Sequence, residues 1–452
     1  MTAQSWSGRA AFFLATVGSA VGLGSIWKFP YMVGENGGGA FFLLYLVGLA
    51  LAVLPLMIAE FAIGRAGQGS AVGSIVRVAE KTGASRVWSA IGAWGVGAGF
   101  LILSFYSVFG GWTIAFAVEA AQGGATAADG AAAGAAFGAF LADPGAMTLW
   151  HGVFMALTAL VVLGGVAGGL ERALTILMPL MFVLLAGLVV YASFSGGMGQ
   201  ALRFLFWPDF SKVTWDVALN AVGLGFFSIG VGIGVMITYA AYAGREIGLG
   251  TMAVSAIAAD TFASILAGLA IFPIVFAYGL DPAGGPGLMF VTLPVAFGQI
   301  AGGAWLAFAF FGLLLVSALA SAISIMELIV AWAMERHRIG RFAATLWTAG
   351  LCGAMGMATV WSFNLLADVH PLAPFGLLEG RTFFDVIDWL TSNLMLPVGG
   401  IAIALFLGWT PAGRILTDEV GGTGRGREVL RWLLRLVVPA AIGAVLVAGI
   451  VQ

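Results

Sequence analysis

The chain has 452 residues, of which 61% are apolar and only 9% charged, with a mean hydropathy of +1.04. A soluble core cannot hide that share of apolar side chains, so a water-soluble globular protein is excluded and an integral membrane protein is expected. The formal charge of -2 and pI near 5.9 give no sign of nucleic-acid binding, and the single Cys352 excludes an internal disulfide.

Apolar runs of about 20 residues, the length that crosses a bilayer as a helix, predict eleven helices. They cover 9–33, 39–65, 86–121, 149–167, 171–194, 213–242, 251–279, 302–335, 341–361, 381–409 and 428–450. An odd number of crossings puts the two ends on opposite sides. With the N-terminus in the cytoplasm, every basic residue except Lys28, Arg203, Lys212 and Arg381 falls inside. This predicts a multi-pass protein of the inner (plasma) membrane, with the N-terminus cytoplasmic and the C-terminus extracytoplasmic. Arg9 leads into a full-length span with no small-residue cleavage site before Phe29, so no cleavable signal is expected.

In the first span, GSAVGLGSIWKFPYMVGENGGGAF (18–41) carries Gly18, Gly22 and Gly24 at mid-span and ends its apolar run at Pro30. A helix interrupted in lipid survives only where its freed amides and carbonyls face protein, water or a ligand, so this break is a candidate binding site. The Gly/Ala-rich stretch 122–146, whose charges are Asp129 and Asp143, reads as a flexible external loop without function. The sixth span repeats the interruption with Gly223, Gly225, Gly230, Gly232 and Gly234. Breaks in the first helix of each five-helix block predict an inverted repeat with its site at the bilayer midplane. Residues 280–300, with Pro282, Gly284, Gly285, Pro286 and Pro294 around VTLPVAF, predict a loop that dips back toward the protein rather than a plain linker, and that either acts as an external lid or does not. Gly421, Gly422, Gly424 and Gly426, interleaved with Arg425 and Arg427, predict a hinge before the last helix.

At a helix break the N-terminal half exposes carbonyls and the C-terminal half exposes amides, each with a dipole end attached. A ligand carboxylate can thus lie on the amides near Leu23 and Gly24, with a cation such as sodium at the carbonyl end near Ala20. Contact between the two charges couples them, since each lowers the cost of taking the other out of water.

These two segments occur in order with ENGGGAFFLLY (35–45), PLMIAEFAIGR (55–65), Tyr106 and Trp112, LAGLAIFP (266–273), FVTLPVAFGQIAGG (290–303) and ALASAISIMELIVAW (318–332). The ensemble resembles the neurotransmitter:sodium symporter family, bacterial amino-acid branch, along nearly the whole chain. The resemblance implies an all-α integral membrane protein of LeuT-type fold, with two inverted five-helix repeats and broken helices 1 and 6. The first repeat is 1–195, the second 213–410, and an additional helix occupies 426–452, all in one transporter domain.

The resemblance also implies a first sodium site made by the Ala20 carbonyl, Ser25, Ser228, Asp260 and the substrate carboxylate. Relatives commonly have Asn at positions 25 and 260. A carboxylate in the seventh helix is costly unless paired and marks function, so an ionised Asp260 that ligates sodium is expected, against a protonated Asp held by a neighbour. Chloride-dependent members place an anion near Tyr45, Leu224, Ser228, Asp260 and Ser264. With apolar Leu224 and anionic Asp260 in those places, no chloride is expected. The second sodium site falls to the carbonyls of Gly18, Val21 and Ser317 and the Ser321 hydroxyl. Ala320 stands where relatives offer an oxygen, which leaves one or two sodium ions, and small Ser317 and Ser321 also suit close helix packing.

By the same resemblance the substrate contacts Ala20, Gly22, Leu23, Gly24, Ile102, Tyr106, Phe227, Ser228, Gly230, Ile233, Ser321 and Ile325. Monoamine carriers have Asp where this chain has Gly22, so the expected ligand is an amino acid. Uncharged walls favour a neutral, hydrophobic side chain up to the size of Phe or Trp. Lys28 and Asp388 match an outer gate, the Lys lacking the fork of the usual Arg. Trp6, Tyr242 and Glu335 match an inner gate, although residues 1–8 offer no basic partner and Glu335 also reads as a surface charge. Gly169 and Pro179 match a spacing at which the cytoplasmic end of the fifth helix unwinds, or else mark a proline kink. Glu60 and Glu327 are expected to satisfy hydrogen bonds between helices, and the scattered His151, His337 and His370 make no metal site.

The expected function is a sodium-coupled, chloride-independent symporter importing a hydrophobic L-amino acid by alternating access. The competing class is an amino-acid-binding membrane receptor or scaffold without transport. An enzyme is not expected, because no nucleophile, base and orienter converge. The partners are the amino acid and the lipid bilayer, and the sequence defines no oligomeric state.

Overall fold

The computed structural model describes residues 5–283, 285–376, 378–420 and 424–451, and every regular element among them is a helix. The first span is split into α1 (Arg9–Ala20) and α2 (Gly24–Glu35), bent by 52°. There follow α3 (Gly39–Gly67), the short α4 (Ala71–Thr82), α5 (Arg86–Ala121), the short α6 (Gly130–Ala142), α7 (Pro144–Leu163) and α8 (Val166–Ser193). After the short α9 (Met198–Phe206) comes the second split span, α10 (Trp215–Ile229) and α11 (Val235–Ala241). The chain continues through α12 (Leu249–Ala277), the short α13 (Thr292–Gly298), α14 (Gly303–His337), α15 (Arg341–Ser362), α16 (Phe383–Trp409), the short α17 (Ile415–Val420) and α18 (Gly424–Ile450).

Nine of these are long and apolar enough to span a membrane, and α1 with α2 makes a tenth. The expected eleventh, 213–242, is present only as α10 and α11, each too short to be counted alone.

The two breaks arise differently. α1 stops at Val21, whose φ of -80° and ψ of 89° leave the helical region without a positive φ, and the chain rewinds as a π-helix over Gly24–Lys28. α10 stops at Gly230 (φ 69°) and α11 starts after Gly234 (φ 90°), left-handed conformations that only glycine adopts at low cost. The gap is then held by Glu60 of α3, fully buried, which accepts from the Gly232 amide at 2.5 Å. This meets the expectation that Glu60 serves a hydrogen bond between helices.

Two loop expectations, 122–146 and the hinge before the last span, are corrected, and a third, the inward turn of 280–300, is met. The 122–146 stretch contains α6: its alanines favour helix, and Asp129 caps it by accepting from Ala132 N at 2.8 Å. Asp143 caps α7 in the same way, so that helix starts at Pro144 rather than 149. The hinge expected before the last span is instead helical from Gly424, while Gly421 and Gly422 lie outside the described residues. Segment 280–300 turns inward: Phe290 is 2% exposed, stacks on Phe137 of α6 at 5.2 Å and meets Trp112 edge-on at 5.7 Å.

Candidate substrate and sodium site

The two breaks meet. A Cβ on Gly24 would lie 2.7 Å from the Ser228 Cα, and one on Gly22 would collide with the Ser321 hydroxyl and come within 3.2 Å of the Tyr106 hydroxyl. Beside this contact lies a cavity of about 50 Å³ lined by Gly22, Leu23, Gly24, Ile102, Tyr106, Phe227, Ser228, Gly230, Ile233, Ser321 and Ile325. Ala20 is fully buried and does not line it, whereas Ser19, Val235 and Leu396 do without having been anticipated. Those three come from the flanks of the breaks and from α16, and no local signal marks them. Leu23 N donates to the Tyr106 hydroxyl oxygen at 3.3 Å, which leaves the phenolic proton free to donate.

On the other side of the same contact sits Asp260 of α12, with no exposed surface. It accepts from the Ser25 hydroxyl, from Tyr45 Oη at 3.1 Å and from Ser228 Oγ at 3.4 Å; Ser25 and Ser228 are 2.8 Å apart. No basic side chain pairs with it among the described residues. An all-oxygen cluster of hydroxyls and one carboxyl group, with no cation among its partners, is a donor set for a hard cation. Ser25, Ser228 and Asp260 therefore fit sodium.

Of the residues expected around a second ion, Ser317 approaches Val21, while Ser321 approaches the neighbouring Ser19. Ser317 Oγ lies 3.5 Å from the Val21 carbonyl, and Ser321 Oγ 3.5 Å from that of Ser19, both at the outer limit of a hydrogen bond. Ala320 is fully buried and offers no oxygen. Gly18 faces α8: a Cβ there would lie 2.6 Å from Leu174 and 3.3 Å from the Met178 sulfur.

A larger cavity of about 330 Å³ lies outside the first, and Leu23, Tyr106 and Phe227 line both. Its walls are aromatic and include Phe137 of α6, so the stretch expected to lack function shapes the outer approach. Lys28 and Asp388 line this cavity but make no direct ion pair. Lys28 Nζ sits 3.9 Å over the Phe227 ring, and Asp388 accepts from Ser392 Oγ at 3.0 Å. A single ammonium satisfies its charge on a ring face as readily as on one distant carboxylate.

At the end of the bundle that holds the N-terminal segment, Trp6 seals against α11, its indole donating to the Tyr239 carbonyl at 2.9 Å and its amide to that of Tyr242 at 3.1 Å. Glu335 pairs with Arg77 of α4 and caps Ser70 N at 2.8 Å, so its partner is not in the N-terminal segment. The buried ion pair here is Glu327 with Arg341 at 2.6 Å, joined by Tyr242 Oη at 3.0 Å. Sequence reasoning named Glu327 but not Arg341; a carboxylate inside a span followed by an arginine at the next helix start was the available signal. Ser7 ties to both carboxylate oxygens of Glu171 at the start of α8. That helix is wound throughout, π-helical over Val166–Glu171 and continuous past Pro179, and Gly169 nests against Gly164.

Apolar helices, two of them broken where they face each other between an oxygen cluster and an uncharged cavity, define a membrane transporter of a small solute. Residues 3–125 and 139–366 match the sodium:neurotransmitter symporter family. The chain is 37% identical over 442 residues to an uncharacterized sodium-dependent transporter of Bacillus subtilis (strain 168), covering 97% of this chain and 95% of that one. It is 30% identical over 460 residues to an uncharacterized sodium-dependent transporter of Haemophilus influenzae, covering 99% and 98%. The crystal structure of MhsT in complex with L-phenylalanine is similar with a TM-score of 0.88 and 40% identity, over 99% of both chains. The chain belongs to the sodium:neurotransmitter symporter family. It is a multi-pass, sodium-dependent membrane transporter of LeuT-type fold and not an enzyme.

Proposed function

We propose that this transporter imports a neutral, hydrophobic L-amino acid together with sodium, by alternating access and without chloride. The observation that carries the reading is the juxtaposition of an uncharged cavity with the Ser25–Ser228–Asp260 oxygen cluster across one helix-break contact. A substrate carboxylate seated at Leu23, Gly24 and Tyr106 lies beside the first sodium, which Ser25, Ser228, Asp260 and the Ala20 carbonyl hold. Asp260 supplies the negative charge that a chloride would otherwise bring. A second, weaker sodium belongs to Gly18, Val21, Ser317 and Ser321, which lack the oxygen absent from Ala320.

A cavity of about 50 Å³ takes roughly four water-sized spheres, so a phenyl ring enters only if the partition moves. Phe227 faces both cavities and is the residue to move, with Lys28 above it. The ring has room at Gly230, where a Cβ would meet nothing within 4 Å. The L-phenylalanine bound to the similar MhsT supports the substrate class. The site between helices 1, 3, 6 and 8 of the two repeats, 1–195 and 213–410, opens to each side in turn, with the N-terminus cytoplasmic and the C-terminus outside.

Proteoliposomes with an imposed inward sodium gradient should accumulate labelled L-phenylalanine above equilibrium, equally in chloride and in gluconate. Binding without accumulation, or loss of uptake in gluconate, is the contrary result. Tyr106→Phe removes a charge-assisted hydrogen bond worth about 1.5–3 kcal/mol, so the amino-acid Kd should rise roughly ten- to a hundredfold with the protein still folded.

Release of the second sodium follows from α8: Leu174 and Met178 cover Gly18 and lie between Gly169 and Pro179. Unwinding there uncovers the ion. Pro179→Ala restores a backbone donor worth about 3 kcal/mol to the wound helix, so turnover should fall while equilibrium binding stays unchanged. Equal turnover in the variant and the parent would remove this role.

A further inference from the structure

A groove of about 600 Å³ lies on the outside of the bundle between α5, α14 and α15, walled by Gly97, Phe100, Ile329, Trp332, Trp347 and Leu351. It is apolar along its length and open to the lipid-facing side of α15, where Trp347 is 66% and Leu351 54% exposed. One end is polar. His337 lines it, packed edge-on against Trp332 at 5.6 Å, and the exposed Arg336 and Arg338 flank that histidine.

The charges around this mouth are unevenly satisfied. Arg77 is spent on Glu335, Arg86 on Glu80 and Arg341 on Glu327. Arg336 and Arg338 have neither a hydrogen bond nor an ion pair among the described residues. Two arginines without partners, adjacent in sequence to the histidine that lines one end of a long apolar slot, match a ligand with an anionic head and an alkyl tail. We propose that this groove seats an acyl chain of an anionic phospholipid, with its phosphate on Arg336 and Arg338. The bilayer supplies such a molecule on the same side as these arginines, and guanidinium binds phosphate through paired donors.

Each arginine beside an anionic headgroup contributes about a fivefold preference, so two give about twenty-five-fold. Purified protein in detergent would be offered equimolar phosphatidylglycerol and phosphatidylethanolamine, and retained lipid counted by native mass spectrometry. A phosphatidylglycerol preference of about that size is expected, falling toward parity in R336Q/R338Q. Ala333→Trp, which fills the groove away from the arginines, should lose the retained lipid and its thermal protection while keeping the parent's elution volume. Parity in the parent, an unchanged preference in R336Q/R338Q, or full lipid retention in Ala333→Trp overturns the proposal. So does equal thermal protection by inorganic phosphate alone, or a change of oligomeric state in Ala333→Trp, which would assign the groove to a second copy.

Discussion

Asp260→Asn is expected to raise the sodium concentration for half-maximal amino-acid binding by roughly a hundred- to a few thousandfold, because removing one partner of a buried charge pair costs about 3–5 kcal/mol. The carboxylate is fully buried, and its partners among the described residues are hydroxyls, not cations. In the sodium-loaded state the ion compensates it. Asn preserves the volume and can still accept from Tyr45, so the fold is retained and the loss falls on the cation. The effect on stability has the opposite sign without sodium: the parent carboxyl must then either remain charged without a cation or take up a proton, whereas Asn is neutral throughout, so the sodium-free variant should melt no lower than the parent. Labelled L-phenylalanine binding titrated with sodium chloride against choline chloride, with melting curves in choline, separates the two effects. An unchanged sodium midpoint would remove Asp260 from the first site.

Gly24→Ala should weaken sodium and amino-acid binding together, by roughly ten- to a hundredfold, because overpacking a close contact costs about 1–3 kcal/mol. The added Cβ would lie 2.7 Å from the Ser228 Cα. That neighbour is backbone inside α10, and it cannot rotate away as a side chain could. The breaks must separate, and the 2.8 Å approach of Ser25 to Ser228 is lost with them. Gly312→Ala is the control, since nothing lies within 4 Å of a Cβ there, and it should be neutral or slightly stabilising. Retained affinity in Gly24→Ala would mean that the site does not depend on break-to-break contact.

The breaks themselves were legible because they are written locally. Glycines clustered inside one apolar run also serve close helix packing, so it was the recurrence of two such runs five helices apart that suggested the symmetry. Residues carried over from the family resemblance, Leu23, Tyr106, Phe227 and Ser321 among them, line one cavity as a group. The salt bridges were not legible in the same way. Glu335 chose Arg77 of α4 over any N-terminal base, and Lys28 chose the face of Phe227 over Asp388. In both cases several partners of suitable charge exist along the chain, and only distance in the folded state selects among them. The 122–146 stretch failed for another reason: its glycines suggested a loop, while Asp129 and the alanines around them were sufficient to cap and build α6.

Composition and the order of apolar runs, read without coordinates, determined a membrane-embedded helical chain with two interrupted spans, because a continuous apolar run of about 20 residues satisfies its own backbone in lipid only as a helix. Tertiary structure decided what those interruptions do. It brought Asp260 to Ser25 and Ser228, set Phe227 between two cavities, and laid Leu174 and Met178 over Gly18. Each of these joins residues distant in sequence, and such contacts depend on helix packing rather than on any local preference of the chain.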